Sequence, residues 1–419
     1  MCFSLFRDLP IDLQYIVLSY NSEILLHLDE LNKYDWFRLI KLSYGFSYSK
    51  DACTNEEIMK VYLDNCRRSK KIFGGMNTIV MLDDGRLMSR GYNASGQCGL
   101  GDKKDRQTFE VIQRLPNNIA DVTCSGYHSI IRCTDGRLLA CGYNRNGQLG
   151  LGDFRERTVF QLIKKIDKNI AEVQSGGSHS IIRLTDGTLM GCGSNLEGQL
   201  GMDLGEGKVQ INRFKTIASI PKDIVKVVCG CSHTIIRSGD GTLMGCGKNT
   251  NGELGFADGM SRYVFKEILD VPKNIAEVVS CGYNTFIRLT DGTLMASGHN
   301  HYGQLGLGDN IDRFKFEKIV GIPKNIVEVS GGPYHTIIRL ADGVLMGSGF
   351  NEDGRLGFLD KSNRNIFEVI PGEWNNLAEV YCGEYYTMVR LKDGTVMSCG
   401  YQQNHQVRGF QKVMTLKNF

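Results

Sequence analysis

The chain repeats itself, and that fixes the range of folds open to it. Asp-Gly pairs begin at Asp84, Asp135, Asp186, Asp240, Asp291, Asp342 and Asp393, at intervals of 51, 51, 54, 51, 51 and 51 residues. Seven residues after each Asp stands a glycine (Gly91, Gly142, Gly193, Gly247, Gly298, Gly349, Gly400). Two further on are Asn93, Asn144, Asn195, Asn249, Asn300 and Asn351, with Gln402 in the last unit. A Gly-Gln-Leu-Gly element or a near relative follows, and a phenylalanine closes each unit, from Phe109 to Phe410. Segments such as His179-Ser-Ile-Ile-Arg-Leu are short, β-branched and bounded by glycine, which predicts strands. Thr185-Asp186-Gly187-Thr188 has the chemistry of a hairpin turn. Four short strands per unit, seven times over, predict a mainly β chain folded as a seven-bladed β-propeller.

Composition agrees. Fifty glycines against seven prolines suit many tight turns, and a net charge of +3 argues against a protein that coats nucleic acid. No apolar run reaches the ~18 residues of a membrane helix, and the apolar start at Met1–Phe6 is short for a signal peptide. A soluble intracellular protein, cytoplasmic or nuclear, is expected. Seven of the fourteen cysteines trade places with Ser, Gly or Arg between units (Cys141, Cys192, Cys246 and Cys399 with Arg90, Ser297 and Ser348; Cys124, Cys229 and Cys382 with Ser175, Ser280 and Gly331). They read as small apolar residues, without disulfides or structural zinc.

Several repeated positions could pass for chemistry. Seven residues before each Asp sit Asn77, His128, His179, His233, Asn284, His335 and Tyr386. Residues that interchange this way brace turns by hydrogen bonding rather than catalyse. Arg183, Arg288, Arg339 and Arg390 are expected opposite Glu172, Glu277, Glu328 and Glu379 across the inner hairpin, and Arg132 opposite Asp121, as cross-strand ion pairs. Lys226 facing Arg237 is the exception, a like-charge pair. The same blade is read as carrying the longer loop from Met202 to Arg213, so Lys226, Arg237 and Arg213 are the candidate contact edge. His299 and His301 lack a third ligand in sequence and predict no metal site. No nucleophile elbow or phosphate loop departs from the repeat, so the chain reads as a binding protein that uses neither catalytic residue nor cofactor.

The pattern Asp-Gly-x-Leu-x-x-x-Gly-x-Asn-x-x-Gly-Gln-Leu-Gly-x-Gly-Asp resembles the repeat of the regulator of chromosome condensation family, over roughly Arg67 to Phe419. The resemblance implies a propeller that serves as a platform for macromolecules. It also raises the family's founding activity, nucleotide exchange on a Ran-type small GTPase at chromatin. Near-neutral charge, the lack of a basic tail and a repeat insertion of only three residues weigh against that activity.

Residues 1–66 differ from 67–419. Glycine nearly vanishes, and the charge is −4, against +7 for the remainder. Leu9, Leu13, Ile16, Val17 and Tyr20 follow helical spacing, as do Leu25, Leu28 and Leu31, then Trp36, Leu39 and Ile40. Thr54-Asn-Glu-Glu57 is a capping box. A small α-helical domain is expected. Leu9-Pro10-Ile11-Asp12-Leu13-x-x-Ile16, with Val17, Leu25 and Leu28 behind it, resembles an F-box, with Asp12 where that motif usually has Glu. The resemblance implies docking on a Skp-family adaptor and a cullin scaffold, with the propeller receiving a target for ubiquitin transfer. Composite chains of this kind also resemble structural or packaging proteins of large DNA viruses. The basic run Arg67–Lys71 overlaps the first unit's inner strand. That strand is therefore degenerate, and the segment Phe410–Phe419 is expected to help close the first blade.

Overall fold

A computed structural model describes residues 71–164, 166, 169–203, 210–374, 376–402 and 405–416, and residues 14, 33–39 and 55 of the amino-terminal part. Within them, twenty-eight strands form seven four-stranded antiparallel sheets. The first sheet is β1 (Ile72–Gly74), β2 (Asn77–Met81), β3 (Leu87–Gly91) and β4 (Arg106–Val111). The seventh is β25 (Leu377–Cys382), β26 (Tyr386–Leu391), β27 (Thr395–Gln402) and β28 (His405–Thr415). The first strands of the other blades are β5 (Ile119–Cys124), β9 (Ile170–Ser175), β13 (Ile224–Cys229), β17 (Ile275–Cys281) and β21 (Ile326–Gly331). Each first strand touches the next around a ring, and β25 returns to β1. This is a seven-bladed β-propeller.

The Asp-Gly turns work as their chemistry requires. Each Asp carboxylate accepts the backbone N–H two residues on, as in Thr188 N–H to Asp186 Oδ1 at 2.9 Å, while the following glycine takes a positive φ, 85° at Gly187. Second strands such as β22 (His335–Leu340) are buried along their whole length, because both faces meet neighbouring blades. The core therefore lies between blades rather than within one. Leu254 and Ile268 of the fourth blade pack with Ile275, Ile287 and Phe316 of the fifth. Outer strands are largely exposed, as in β4 and β24 (Arg364–Val369).

The closing phenylalanine explains the second glycine of Gly-Gln-Leu-Gly. Gly306 of the fifth blade has φ 70°, and a Cβ there would overlap the Phe367 ring of the sixth. The same arrangement joins Gly150 to Phe214 and Gly357 to Phe410. Phe410, although its loop is shorter, therefore fills its usual place.

The carboxyl-terminal segment helps close the first blade, as expected, without lending it a strand. β28 pairs with β27 of its own blade, so among the described residues every blade is contiguous in sequence and no strand is lent across the ends. The carboxyl-terminal segment helps through side chains only. Met414 and Leu416 pack with Ile72, Val80, Leu82 and Met88 of the first blade. The first inner strand is short, three residues against six in β5, as its basic lead-in implies. Its backbone is tied instead by Glu379, which accepts from Lys71 N–H (3.1 Å) and Ile72 N–H (3.3 Å).

Of the amino-terminal part, residues 36–39 are helical, and Tyr34, Trp36 and Leu39 are buried. Tyr34 donates to Gln14 Oε1 at 2.7 Å, and Asn55 binds the backbone of Trp36 and Tyr34. The F-box-like residues Leu9, Pro10, Leu13, Ile16, Val17, Leu25 and Leu28 lie outside the described residues.

Gly306→Ala should cost about 2 kcal/mol or more, from left-handed backbone strain plus ring overlap. Gly126→Ala, where a Cβ meets nothing within 4 Å, should change stability by less than about 0.5 kcal/mol. Paired denaturation curves of the two variants check this.

Candidate functional site

The repeated His position is a clasp between blades. His128 Nε2 meets Ser180 Oγ of the next blade at 2.8 Å, and Ser180 Oγ–H donates to the Gln148 carbonyl, back in the blade of His128, at 2.8 Å. His179 grips Thr234 (2.9 Å), whose hydroxyl donates to Gln199 O (2.7 Å). His233 grips Thr285 (3.1 Å) and His335 grips Thr387 (2.8 Å) in the same way. Because each hydroxyl proton goes to a carbonyl, the imidazole donates from Nε2, and burial favours its neutral form. At the closing seam Tyr386 takes the part, its OH 2.6 Å from Thr78 Oγ1. Burial pushes His128, His179 and His233 down to about 3, and His335 well below its ordinary value. These are structural histidines, as their exchange with Asn77, Asn284 and Tyr386 suggests.

The Arg/Glu reading holds at four blades: Arg183–Glu172 at 3.3 Å, Arg288–Glu277 at 3.1 Å, Arg339–Glu328 at 2.8 Å and Arg390–Glu379 at 3.0 Å. Asp121 and Arg132 share the expected register. Lys226 does face Arg237, and the structure supplies the reason such a pair survives. The Lys226 ammonium reaches across the seam to Glu172 of the preceding blade, which Arg183 also holds. Arg237 is buried and donates to the Ile275 carbonyl of the next blade at 3.3 Å. Arg213 lies apart, exposed on β12 (Gln210–Thr216), the outer strand of the preceding blade. The longer segment before it therefore belongs to the third blade, not to the blade of Lys226, because each blade ends on its outermost strand.

His299 and His301 gain a third neighbour in Asp312, all three offering ligand atoms within 4.8 Å of one another. However, His299 Nδ1 accepts from Gln304 Nε2 at 2.6 Å, which occupies its lone pair. Asp312 Oδ1 accepts Asn300 N–H at 2.7 Å. Metal ligation through His299 Nδ1 would have to break the Gln304 contact. The eleven described cysteines are free, and burial pushes Cys98, Cys124, Cys229, Cys231 and Cys382 up to about 12.

What departs from seven-fold packing is one face of the ring. Two columns of the repeat meet there. The residue before each clasp is Met76, Tyr127, Ser178, Ser232, Tyr283, Tyr334 or Tyr385, and the residue after each strand-ending glycine is Tyr92, Tyr143, Ser194, Lys248, His299, Phe350 or Tyr401. Aromatic rings thus run through blades five, six, seven, one and two, and give way to serines and Lys248 at blades three and four. The rings touch: Tyr283–Tyr334 at 6.3 Å, Tyr302–Tyr334 at 5.6 Å, Tyr302–Phe350 at 5.0 Å, Tyr92–Tyr127 at 6.3 Å and Tyr127–Tyr143 at 6.1 Å between centroids. Tyr127 is 41% exposed and Tyr385 38%, so the face is open. A cavity of about 780 Å³ adjoins it, lined by Phe350, Asp353, Arg355, Tyr385 and Tyr401 among others.

One column further in, the turns of adjacent blades close on the axis. Gly177 N–H donates to Cys231 O at 3.0 Å and Cys231 N–H to Gly282 O at 2.8 Å. That column reads Gly75, Gly126, Gly177, Cys231, Gly282, Pro333 and Glu384. Glu384 is its one charged member. Burial and then the Glu384 carboxylate raise the phenols of Tyr127, Tyr334 and Tyr385. Tyr283, raised first by the Cys231 thiol and burial, feels Glu384 too. Those four tyrosines belong to four blades, and the Glu384 carbonyl accepts from the Arg355 guanidinium at 2.7 Å. Single-copy motif reading passes over these residues. Stacking the seven units shows them as the columns where an aromatic or a charge has no packing role to fill.

Two models of the regulator of chromosome condensation (RCC1) repeat match the chain, one at 119–148, 170–199 and 224–253, the other at 84–131, 135–182 and 291–338. The chain carries regulator of chromosome condensation repeats. It is similar to the ultraviolet-B receptor UVR8 of Arabidopsis thaliana, with 27% identity across 81% of this chain and 80% of that protein. With the secretion-regulating guanine nucleotide exchange factor of Bos taurus it shares 29% identity over 77% and 72% of the two chains. Against the human probable E3 ubiquitin-protein ligase HERC6 the match is 30% identical, spanning 63% of this chain but 26% of the ligase. The fold matches the crystal structure of Prp20p from Saccharomyces cerevisiae, at a TM-score of 0.68 and 19% identity, over 77% of this chain and 83% of that one. No helix among the described residues is long and apolar enough to cross a membrane.

The buried histidines give these RCC1 repeats a pH dependence. A folded pKa held below the ordinary 6.5 contributes stability that is full above that value and is lost as pH falls toward 3. Between pH 7 and 5, above the carboxylate range, each clasp histidine should remove up to about 1.4 kcal/mol per pH unit below 6.5. Denaturation midpoints across that window check this, and His335→Asn should flatten the decline by one histidine's share.

Proposed function

We propose that the protein is a non-catalytic interaction platform, a regulator that engages a protein partner through the tyrosine-lined face of its propeller. The observation that carries this reading is the aromatic arc itself. Tyrosines on five blades, half-buried or exposed, hold positions that serines or Met76 and Lys248 fill elsewhere, and aromatic residues are what interface centres concentrate. The partner class best supported is a small GTPase of the Ran type. A similar chain is named as a guanine nucleotide exchange factor, and Prp20p, which has the same fold, is described as binding Gsp1p and histones. Full-length protein should speed nucleotide release from a Ran-type GTPase loaded with a fluorescent nucleotide. Tyr127→Ala with Tyr334→Ala should remove most of that effect without lowering the melting temperature by more than a few degrees.

A second reading rests on the Leu9-Pro10 motif with Leu13, Ile16, Val17, Leu25 and Leu28. By its resemblance to an F-box, these residues would hold a Skp-family adaptor on a cullin ligase, making the propeller a substrate receptor. Co-purification with such an adaptor, lost in Leu9→Ala with Leu13→Ala, would support it. Nucleotide exchange that persists without any adaptor binding would favour the first reading.

A further inference from the structure

The fifth blade departs from the others in the loop after its third strand, β19 (Leu294–Gly298). One nitrogen each of His299 and His301 and one carboxylate oxygen of Asp312 lie within 4.8 Å of one another there. The two imidazole rings are 4.5 Å apart between centroids, and His301 Nε2 is 3.6 Å from Asp312 Oδ2. Among the described residues no other group of three His, Cys, Asp or Glu converges this closely.

The repeat accounts for one atom of this cluster. Asp312 Oδ1 accepts the Asn300 N–H at 2.7 Å, just as Asp105 accepts from Asn93 and Asn363 from Asn351, each at 2.7 Å. Oδ2 has no such duty. His299 fills a place that is Tyr92, Tyr143 or Phe350 in other units, and His301 one that is Ala94, Leu196 or Thr250. Packing therefore does not call for two imidazoles. The His301 side chain is 66% exposed and that of Asp312 15%, so an ion can reach them from solvent.

Two imidazoles and a carboxylate suit a borderline divalent metal, whereas Mg²⁺ and Ca²⁺ prefer oxygen donors. In a tetrahedral site with bonds of about 2.0–2.1 Å, ligand atoms stand about 3.3 Å apart. His301 and Asp312 already approach that spacing, and the His299 nitrogen has at most about 1.5 Å to close. One contact opposes ligation. His299 Nδ1 accepts from Gln304 Nε2, so the ring proton sits on Nε2. A metal on Nδ1 displaces the amide. A metal on Nε2 sends the ring proton to Nδ1, where it meets the amide N–H. The amide is held in this orientation, because Gln304 Oε1 accepts from Tyr302 N–H at 3.0 Å and Nε2 also donates to Pro333 O at 3.3 Å. A carboxylate at position 304 would remove the conflict by accepting from Nδ1–H. The fold admits one, since the fourth blade has Lys248 and Glu253 at the places of His299 and Gln304, paired at 3.8 Å.

We propose that His299, His301 and Asp312 bind a divalent metal ion of the Zn²⁺ class. Three protein ligands leave a tetrahedral ion at least one position open to water or to a donor from another molecule. The site lies at the edge of the tyrosine face, where the His299 ring stands 6.3 Å from Tyr283 and 6.4 Å from Tyr334 between centroids. It does not depend on the GTPase reading.

The test titrates full-length protein with Zn²⁺ by calorimetry and with Co²⁺ by visible absorption, beside His301→Ala, Asp312→Asn and Gln304→Glu. Other blades hold these same residues at the equivalent places (Ala94, Asn363 and Glu253), so each variant should fold as the parent does. The parent should bind Zn²⁺ with a Kd of about 100 μM or tighter, and His301→Ala and Asp312→Asn should each weaken that binding at least about tenfold. Gln304→Glu should tighten it about three- to tenfold. Co²⁺ should give the visible bands of a four-coordinate site without the near-ultraviolet band of thiolate ligation, which separates this site from the cysteines. No Zn²⁺ binding up to about 1 mM, unchanged binding in His301→Ala or Asp312→Asn, equal competition by Mg²⁺ or Ca²⁺, or no gain in Gln304→Glu would overturn the proposal.

Discussion

Four seams of this ring turn on a buried hydroxyl held from two sides. A Ser or Thr on the second strand of one blade accepts from the histidine of the preceding blade and donates to a carbonyl of that same blade. In Ser180 both partners, His128 and Gln148, lie on one side of the seam. Such a bond is worth little net when both partners could otherwise face water. At an inter-blade seam without solvent, though, an unmade contact costs the full desolvation of each group. The clasp therefore fixes the angle between blades more than it adds energy. The apolar clusters on either side can pack at native density only if that angle is right.

The charge pattern follows from the same geometry. Lys226 beside Arg237 looks unfavourable within its own sheet, and it is. The neighbouring blade resolves it, because Glu172 serves both its own Arg183 and the ammonium from across the seam. A propeller lets one blade's surplus be met by the next, which a single sheet cannot do.

How much of this a sequence shows depends on the distance over which each residue acts. Blade number, hairpin register and the cross-strand Arg/Glu pairs are local, so period and turn chemistry reveal them. The partners of His128 or Lys226 lie one whole repeat away. No spacing rule within a unit can name them, although the interchange of His with Asn and Tyr points to a structural role. The closing of the ring was hidden because the first inner strand begins in a basic run, and nothing local says whether β28 pairs with its own blade or with the first. The candidate face escaped for another reason. Tyr127, Tyr334 and Glu384 belong to no motif, and they show themselves only as exceptions once seven copies are laid over one another.

The way the ring closes has a mechanical side. Six seams are spanned by chain that passes from one blade into the next. Among the described residues the seventh is held by the Glu379 contacts to Lys71 and Ile72, the Tyr386–Thr78 hydroxyl pair and the packing of Tyr386, Met388, Val396, Met414 and Leu416 with Ile72, Val80, Leu82 and Met88. With no strand ladder crossing it, tension applied between the two ends of the ring would fall on those few side chains at once. The circle would part at that join, leaving seven intact sheets in a row, before any single sheet began to unzip.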